Sequence, residues 1–534
     1  MLSSLLLFLA VVILVCVAFH RLSVRLGVPA LLAFLILGML FGSDGIARIA
    51  FDDYDFADQL STVALLFIMF YGGFGTNWRA AKPVAVQSIV LSSAGTVLTA
   101  LLTGAFCHLA LGMPLLEGLL CGAVLGSTDA ASVFSILRAR KLALKENTDS
   151  MLEVESGSND PFAYMLTAVL ITAMESGITP GAVLGVLAAQ LGFGLLFGFG
   201  VGMAALWLLR RFRFGSGGFD TLLVVGVALF SYAAAALLGG NGFLSVYITG
   251  ILLGNGEIRH KEALVPFFDG VTSMMQMVLF FLLGLLSFPS QMPAVLGQAA
   301  AIALFLTLVA RPAAVFALLT PFGGSVRQRL LVSFAGLRGA ASIVFAVMAV
   351  ISPISTDRDL FHIVFLIVLF SISVQGSLLP FAARRLQMID TGGNVMKTFT
   401  DYVEEAPIQF IRFTVPAGHA WCGEAVSRLR LPPGTILADL QRGGVHQPPN
   451  GATRLQAGDH LILAALEADG APGVSLSERV VEPEDLAAGP RLADLALPDG
   501  ALAVMVRRGE EYLIPNGDTV LQAGDHLVLN RTDA

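Results

Sequence analysis

Runs of about 20 predominantly apolar residues recur from Leu2 to Ala383, and that is the length an α-helix needs to cross a bilayer. Backbone N–H and C=O groups find no water in hydrocarbon, so each run has to satisfy them internally and is read as a helix. Hydropathy places thirteen spans, beginning near Leu2, Ala30, Gln59, Pro83, Leu115, Ser150, Ala182, Thr221, Phe243, Leu264, Ala294, Leu330 and Leu360. Only 13% of the 534 residues are charged, well below the roughly 25% of soluble domains. The stretch Met1-Leu2-Ser3-Ser4 lacks a basic region and a cleavage motif, so the first run is expected to be a retained span and not a signal peptide.

The loops test the count independently, because basic residues concentrate in loops on the cytoplasmic side. Alternate loops carry Arg21 and Arg25, Arg79 and Lys82, and Arg138, Arg140, Lys141 and Lys145. Later ones carry Arg210, Arg211 and Arg213, then Arg259 and Lys261, Arg327 and Arg329, and Arg384 and Arg385. The opposite side shows Arg48 and Arg358. This asymmetry predicts a multi-pass protein of the cell (inner) membrane with its N-terminus outside and its C-terminal part in the cytoplasm.

Three carboxylates interrupt this apolar pattern. The fifth span contains Gly126-Ser127-Thr128-Asp129-Ala130-Ala131-Ser132, and the sixth contains Glu155-Ser156-Gly157-Ser158-Asn159-Asp160-Pro161. Intramembrane acids are costly and mark transport pathways. The twelfth span echoes the fifth at an offset of 210, as Gly336-Leu337-Arg338-Gly339-Ala340-Ala341-Ser342. Spans one to six and eight to thirteen then form two blocks, and the odd span between them inverts the second. Glycine-interrupted helices at matching places in inverted repeats point to a transporter's binding site.

On a helix, Glu155 and Asn159 share one face and Ser156 and Asp160 the adjacent one. Pro161 cannot donate to the Gly157 carbonyl, which leaves that oxygen for a ligand or water. With Thr128 and Asp129 opposite, the set is all oxygen and suits a hard monovalent cation at Asp160 and Asp129. A carboxylate that holds either a proton or a metal ion makes the two compete, and that competition is an exchange mechanism. Charge balance gives Arg338 a carboxylate partner, expected to be Glu155, so that removing the arginine alone would orphan a buried charge.

The C-terminal part differs in kind. From Asp390 on it carries 20 acidic and 11 basic residues, a net charge of −9, against 19 and 21 before it. That balance argues against a nucleic-acid partner, which needs a basic face. Gly434 to Leu463 repeats as Gly500 to Leu529 at an offset of 66, with Arg442-Gly443 and Arg508-Gly509 and both Pro-Asn-Gly turns in register. Both copies share Leu-Gln-Ala-Gly-Asp-His-Leu, at Leu455–Leu461 and Leu521–Leu527. Alternating apolar runs split by Asn-Gly and Gly-Asp turns predict short antiparallel strands in two small α/β modules, over residues 409–466 and 474–530. Residues 386–408 connect them to the membrane part, residues 1–385.

Thr128-Asp129 on an interrupted helix followed by Asn159-Asp160 resembles the monovalent cation:proton antiporters of the NhaP type, over residues 1 to about 385. Arg338 within Gly-Leu-Arg-Gly matches that family's arginine on the second crossed helix. The tail resembles the RCK C-terminal (TrkA-C) regulatory domain in two copies, and the combination resembles the CvrA-like potassium/proton antiporters. The resemblance implies a polytopic α-helical membrane protein with inverted repeats and two broken crossed helices. It further implies that Asp160 carries cation and proton in turn, with Asp129, Thr128, Glu155 and Ser156 around the ion and Asn159, Arg338 and Ser158 supporting. Asn159 beside Asp160 resembles the electroneutral branch. A homodimer, elevator-like movement and a small-molecule ligand at the tail are implied too; the transported species are K⁺, or Na⁺, and H⁺, with no cofactor.

Other features are weaker. Arg311 and Asp269 lie in apolar spans, either as helix-end pairs or as parts of a pathway. Tyr71 is expected to pack helices, with a role lining the pathway as its alternative, Glu153 to be a surface or capping acid, and His108 and His362 to be solvated near outer loops. Asp459-His460 and Asp525-His526 are expected to serve turn and strand surfaces. The four cysteines, Cys16, Cys107, Cys121 and Cys422, show neither disulfide nor metal spacing. A regulated cation channel is disfavoured by the lack of a Thr-Val-Gly-Tyr-Gly filter. An organic-anion symporter would want cationic groups at its site in place of three acids, and no nucleophile–base set suggests an enzyme.

Overall fold

The structure, a computed structural model, describes residues 10–531 except 20, 22–28, 141, 178, 213–216, 257, 259–260, 355, 391–407, 430, 432–434, 443–444, 448, 467–474, 487–488, 496, 498–500, 509–510 and 514. The predicted start of the first span at Leu2, most of the connector, and Arg25, Lys141, Arg213 and Arg259 lie outside the described residues. So do Gly434, Gly443, Val474, Gly500 and Gly509 of the tail repeat.

Among the described residues thirteen helical segments follow one another. They are Ala10–Phe19, Ala30–Phe41, Tyr54–Gly75, Lys82–Leu111, a broken fifth of Leu115–Val124 and Ala130–Ala139, and Thr148–Ser176. Pro180–Arg211, Gly217–Leu237, Gly242–Asn255, Lys261–Leu285, Met292–Phe322, a broken twelfth of Val326–Phe334 and Ala340–Ile351, and Leu360–Arg385 complete the series. Polar residues set several starts by accepting from the first-turn amides. Asp53 accepts from Phe56 N at 2.9 Å, Asn241 from Leu244 N at 3.0 Å and Ser325 from Gln328 N at 3.0 Å.

The spans sort into two packed sets. In the first, the third span lies against the ninth and tenth, the tenth against the second, and the seventh against the eighth and ninth. In the second, the fourth packs on the fifth, the fifth on the sixth, and the thirteenth on the eleventh and twelfth. Glycine permits the closest approaches, as small residues do between membrane helices. A Cβ on Gly250 would run into the Phe70 carbonyl oxygen and one on Gly122 into that of Ala100. The seventh span is mostly exposed, with 17% of its apolar stretch buried against 67% in the thirteenth. The seventh therefore turns its apolar surface outward from the chain, and the thirteenth is a core helix.

Three spans contain a π-helical turn, at Leu91–Gly95, Leu306–Ala310 and Ser371–Gln375. Such turns insert a residue into the helix and redirect its polar side chains. Ser371–Gln375 does this next to the twelfth-span break.

The two tail modules repeat one topology. Each is a four-stranded antiparallel sheet, in the order Ile408–Thr414, His460–Leu466, Thr435–Arg442, Val445–Gln447 and then Ser475–Val480, His526–Arg531, Ala501–Arg508, Glu511–Leu513. Helix in the described part of each module is confined to single 3₁₀ turns, such as Val426–Arg428 and Leu492–Asp494. The repeated Arg and Asp explain each other. Arg442 grips Asp459 through Nε and Nη2, both at 2.7 Å, and Arg508 grips Asp525 at 2.8 and 2.7 Å.

These hydrogen bonds hold both carboxyls below the usual carboxylate range. A depressed folded-state pKa stabilises at pH values above the unfolded one, and that stability disappears as pH falls through the folded one. Both modules should therefore loosen below about pH 4. Hydrogen exchange, corrected for intrinsic rates, should show this in both sheets, and Asp459→Asn should remove the dependence from the first alone.

Candidate functional site

Breaking a helix inside a bilayer leaves carbonyls and amides that something must satisfy. Leu115–Val124 ends in carbonyls, and Ala130–Ala139 begins with amides, that have no partner within their own helix. Arg338 answers the first need: its Nη1 donates to the Leu125 carbonyl and, at 2.7 Å, to that of Ser127. A guanidinium is favoured there also by the negative end of the helix dipole. Asp129 answers the second as the N-cap, accepting from Ser132 N at 3.1 Å and Ser132 Oγ at 2.5 Å.

The second break is satisfied by the thirteenth span. Ser371 Oγ accepts from Arg338 N at 2.9 Å, and Gln375 Nε2 donates to the Phe334 carbonyl at 2.7 Å. The two breaks then join directly, Asp129 N donating to the Leu337 carbonyl at 2.8 Å. The repeat explains one substitution within it. Gly339 stands where the first copy has Asp129, and a Cβ there would lie 2.5 Å from both Asp129 Cβ and Oδ2. Gly339→Ala should therefore displace Asp129, lower stability by about 1–3 kcal/mol as overpacking does, and cut transport. Initial exchange rates in vesicles at matched protein density would check this.

The sixth span supplies the rest. It runs unbroken through Pro161 as Thr148–Ser176, and Asn241 Nδ2 donates to the Pro161 carbonyl at 2.7 Å. Ser156 Oγ donates to the Thr128 carbonyl at 2.6 Å and accepts from Ala130 N at 2.8 Å. Asn159 Nδ2 donates to Thr128 Oγ1 at 2.5 Å. Ser127 Oγ donates to Asp160 Oδ1, and among the described residues no hydrogen bond reaches the other Asp160 oxygen. Asp160 and Asp129 thus differ: both oxygens of Asp129 are engaged with Ser132, whereas Asp160 keeps one.

Glu155 corrects the sequence reading. Its carboxylate pairs with Arg311, not with Arg338, and both members are buried. Arg338 is occupied by the backbone of the first break, whereas Arg311, just past the π turn of the eleventh span, faces Glu155. His362 is a second correction, being buried in place of solvated. Phe288 N donates to its Nε2 at 2.9 Å, and Nδ1 lies 2.5 Å from Asp359 Oδ2. Glu117, which drew no attention in the sequence, is buried and accepts from the amides of Asp357 and Arg358 at 3.2 and 2.9 Å.

A cavity of about 360 Å³ brings the predicted residues together. Its wall includes Ser127, Thr128, Asp129, Ser156, Gly157 and Asp160, with Tyr71, Glu153 and Asp269. Glu153 therefore faces a cavity and not the outer surface. Glu155, Asn159 and Arg338 stand behind the wall, and Ser158 is half-buried outside it. Such an oxygen-lined space can hold a hard cation or a proton.

The family described as "Sodium/hydrogen exchanger, transmembrane" matches residues 7–385, and the TrkA-C domain matches residues 410–470 and 476–530. The chain is 37% identical over 460 residues to "K(+)/H(+) antiporter NhaP2" of Shewanella baltica (strain OS223), covering 85% of this chain and 79% of that protein. It is 36% identical to "K(+)/H(+) antiporter NhaP" of Alkalimonas amylolytica over 381 residues, 71% of this chain and 66% of that one. A solved structure of the sodium proton antiporter MjNhaP1 from Methanocaldococcus jannaschii at pH 8 shares the fold with a TM-score of 0.62. It is 22% identical and covers 72% of this chain and 99% of its own.

Proposed function

The chain belongs to the sodium/hydrogen exchanger family, and from that premise we propose that it exchanges K⁺ for H⁺ across the cell membrane by competition of the two for Asp160. It is a multi-pass antiporter with a TrkA-C regulatory tail. The observation that carries the mechanism is the unengaged oxygen of Asp160 in an oxygen-lined cavity beside two crossed helix breaks. A cation there is stabilised by the carboxylate and nearby hydroxyls, and a proton on the same oxygen removes the charge that holds it. Asp129 caps its half-helix and shapes the cavity, while Ser156, Thr128 and Asn159 fix the fifth span against the sixth. Glu155 with Arg311, and Arg338 with its carbonyls, brace the site from behind.

K⁺ is preferred because both relatives described above are K(+)/H(+) antiporters by name; Na⁺ is the second candidate, from the family description. Exchange is one for one, as Asn159 in place of a second acid beside Asp160 suggests. The loops rich in Lys and Arg face the cytoplasm, and with them the tail. Gly75 and Glu153, both near the basic-loop ends of their spans, line the cavity, so the described state faces inward. The protein works as a homodimer, moves its second helix set past the first, and is a transporter without enzymatic activity; the tail takes a small-molecule ligand.

Proton flux in proteoliposomes, with K⁺, Na⁺, Li⁺ and Rb⁺ compared, tests this. K⁺ should drive the fastest flux, and clamping the membrane potential should leave the rate unchanged. Rates that follow the clamped potential would refute one-for-one exchange, and an absence of cation-driven flux would refute antiport.

A further inference from the structure

The reading of the cavity as the ion site leaves Glu153 and Asp269 in its wall without a task, and of these Asp269 stands on the helix set opposite Asp160. Resting on that reading, we propose that Asp269 is a second contact for the transported cation, on the helix set opposite Asp160, which sets apparent affinity and leaves the exchange step itself to Asp160.

Asp269 lies on the tenth span, Lys261–Leu285, and lines the same cavity as Asp160 and Asp129. Tyr71, from the third span, donates its hydroxyl to Asp269 Oδ1 at 3.3 Å. Among the described residues no Lys, Arg or His forms an ion pair with this carboxylate. One turn further on, Thr272 also lines the cavity; it is 7% exposed and its hydroxyl has no hydrogen-bond partner among the described residues. Ser273 and Gln276 continue the same wall.

The four positions follow a spacing of three, four and seven residues, which places them on one helical face. The rest of the span's length is apolar enough to cross a bilayer. Packing alone calls for small or apolar side chains on such a face, and an unpaired acid there has a cost. A stripe of oxygen groups around an acid with no cationic partner among the described residues suits a hard monovalent cation. The ion therefore meets negative charge on both sides of the cavity. Charge on the stationary side concentrates cations without taking part in proton binding at Asp160, as charged cleft walls do for substrates.

A purely structural role, an interhelical bond between Tyr71 and Asp269, would not depend on charge, and this separates the two accounts. The full-length protein in proteoliposomes would be assayed over a K⁺ series. Asp269→Asn keeps an acceptor for Tyr71 and removes the charge; KM for K⁺ should rise about five- to tenfold with kcat within about twofold. The rise should shrink as ionic strength is raised with choline chloride, which screens the lost attraction. Tyr71→Phe, which keeps the charge and removes only the hydrogen bond, should raise KM less than Asp269→Asn does. If Asp269→Asn fails to fold, the pair Asp269→Glu and Asp269→Gln carries the test, the first expected near wild-type KM and the second raised. An unchanged KM in Asp269→Asn, or a fall in kcat alone shared with Tyr71→Phe, would overturn the inference. Asp160→Asn assayed alongside keeps the cases apart: exchange lost there with KM unaltered in Asp269→Asn rejects Asp269 only, whereas exchange surviving there removes the cavity reading and this inference with it.

Discussion

Asp160→Asn should reduce cation-driven proton flux to that of protein-free vesicles while the protein elutes as a folded species of unchanged size. Asparagine has nearly the same shape and can still accept the Ser127 hydrogen bond made in the wild type. What it cannot do is exist in two charge states, one binding a proton and one attracting a cation. An interaction present in only one of two competing states is what drives exchange, so removing the charge removes the competition and not the cavity. Proteoliposome dequenching under a K⁺ gradient is the measurement, and robust flux in this variant would defeat the assignment of Asp160.

Arg311→Met should be nearly as damaging, by a different route. Glu155 is 1% exposed and its ion pair is with Arg311. Removing the guanidinium leaves a buried carboxylate without its counter-charge, a change worth about 3–5 kcal/mol in comparable buried pairs. A large fall in melting temperature in detergent, with loss of exchange, is expected. The double variant Glu155→Gln with Arg311→Met carries no orphaned charge and should recover most of the lost stability. Recovery would assign the effect to charge pairing and not to the volume of Arg311; its absence would point to packing.

The sequence made some of this legible because membrane physics leaves few options. Runs long enough to span, and basic loops that alternate, define thirteen helices before any coordinates, and the structure has thirteen segments at those places among its described residues. The breaks at Gly126 and Gly336 were readable for the same reason, since few residues other than glycine and small polar ones interrupt a span. Pairing across the bundle was not readable. Arg338 and Arg311 are both buried arginines in apolar spans, and nothing local says which meets Glu155. That depends on the distance of each from the first break and on the π turn that precedes Arg311. His362 illustrates the same limit: a position near an outer loop end suggested water, but its environment is set by Phe288 from another span. In the tail, the repeat exposed Arg442 and Asp459 as conspicuous, yet their partnership needed the pairing of Thr435–Arg442 with His460–Leu466 that brings residues 17 apart together.

The way Arg338 is used has an electrical consequence. Its positive charge is held by backbone carbonyls, so it remains to be counted against the acids nearby. With all five groups ionised, Asp129, Glu155 and Asp160 against Arg311 and Arg338, all on the second helix set, carry a net charge of −1, one positive charge short of neutrality. One K⁺ or one proton closes that gap, and either loaded form can cross the low-dielectric interior as a neutral unit. The unloaded form would have to carry a bare charge through the same region, where isolated ions are strongly disfavoured. On the one-for-one exchange proposed above, this charge balance would oppose leak: the carrier would return only when it has something to bring back.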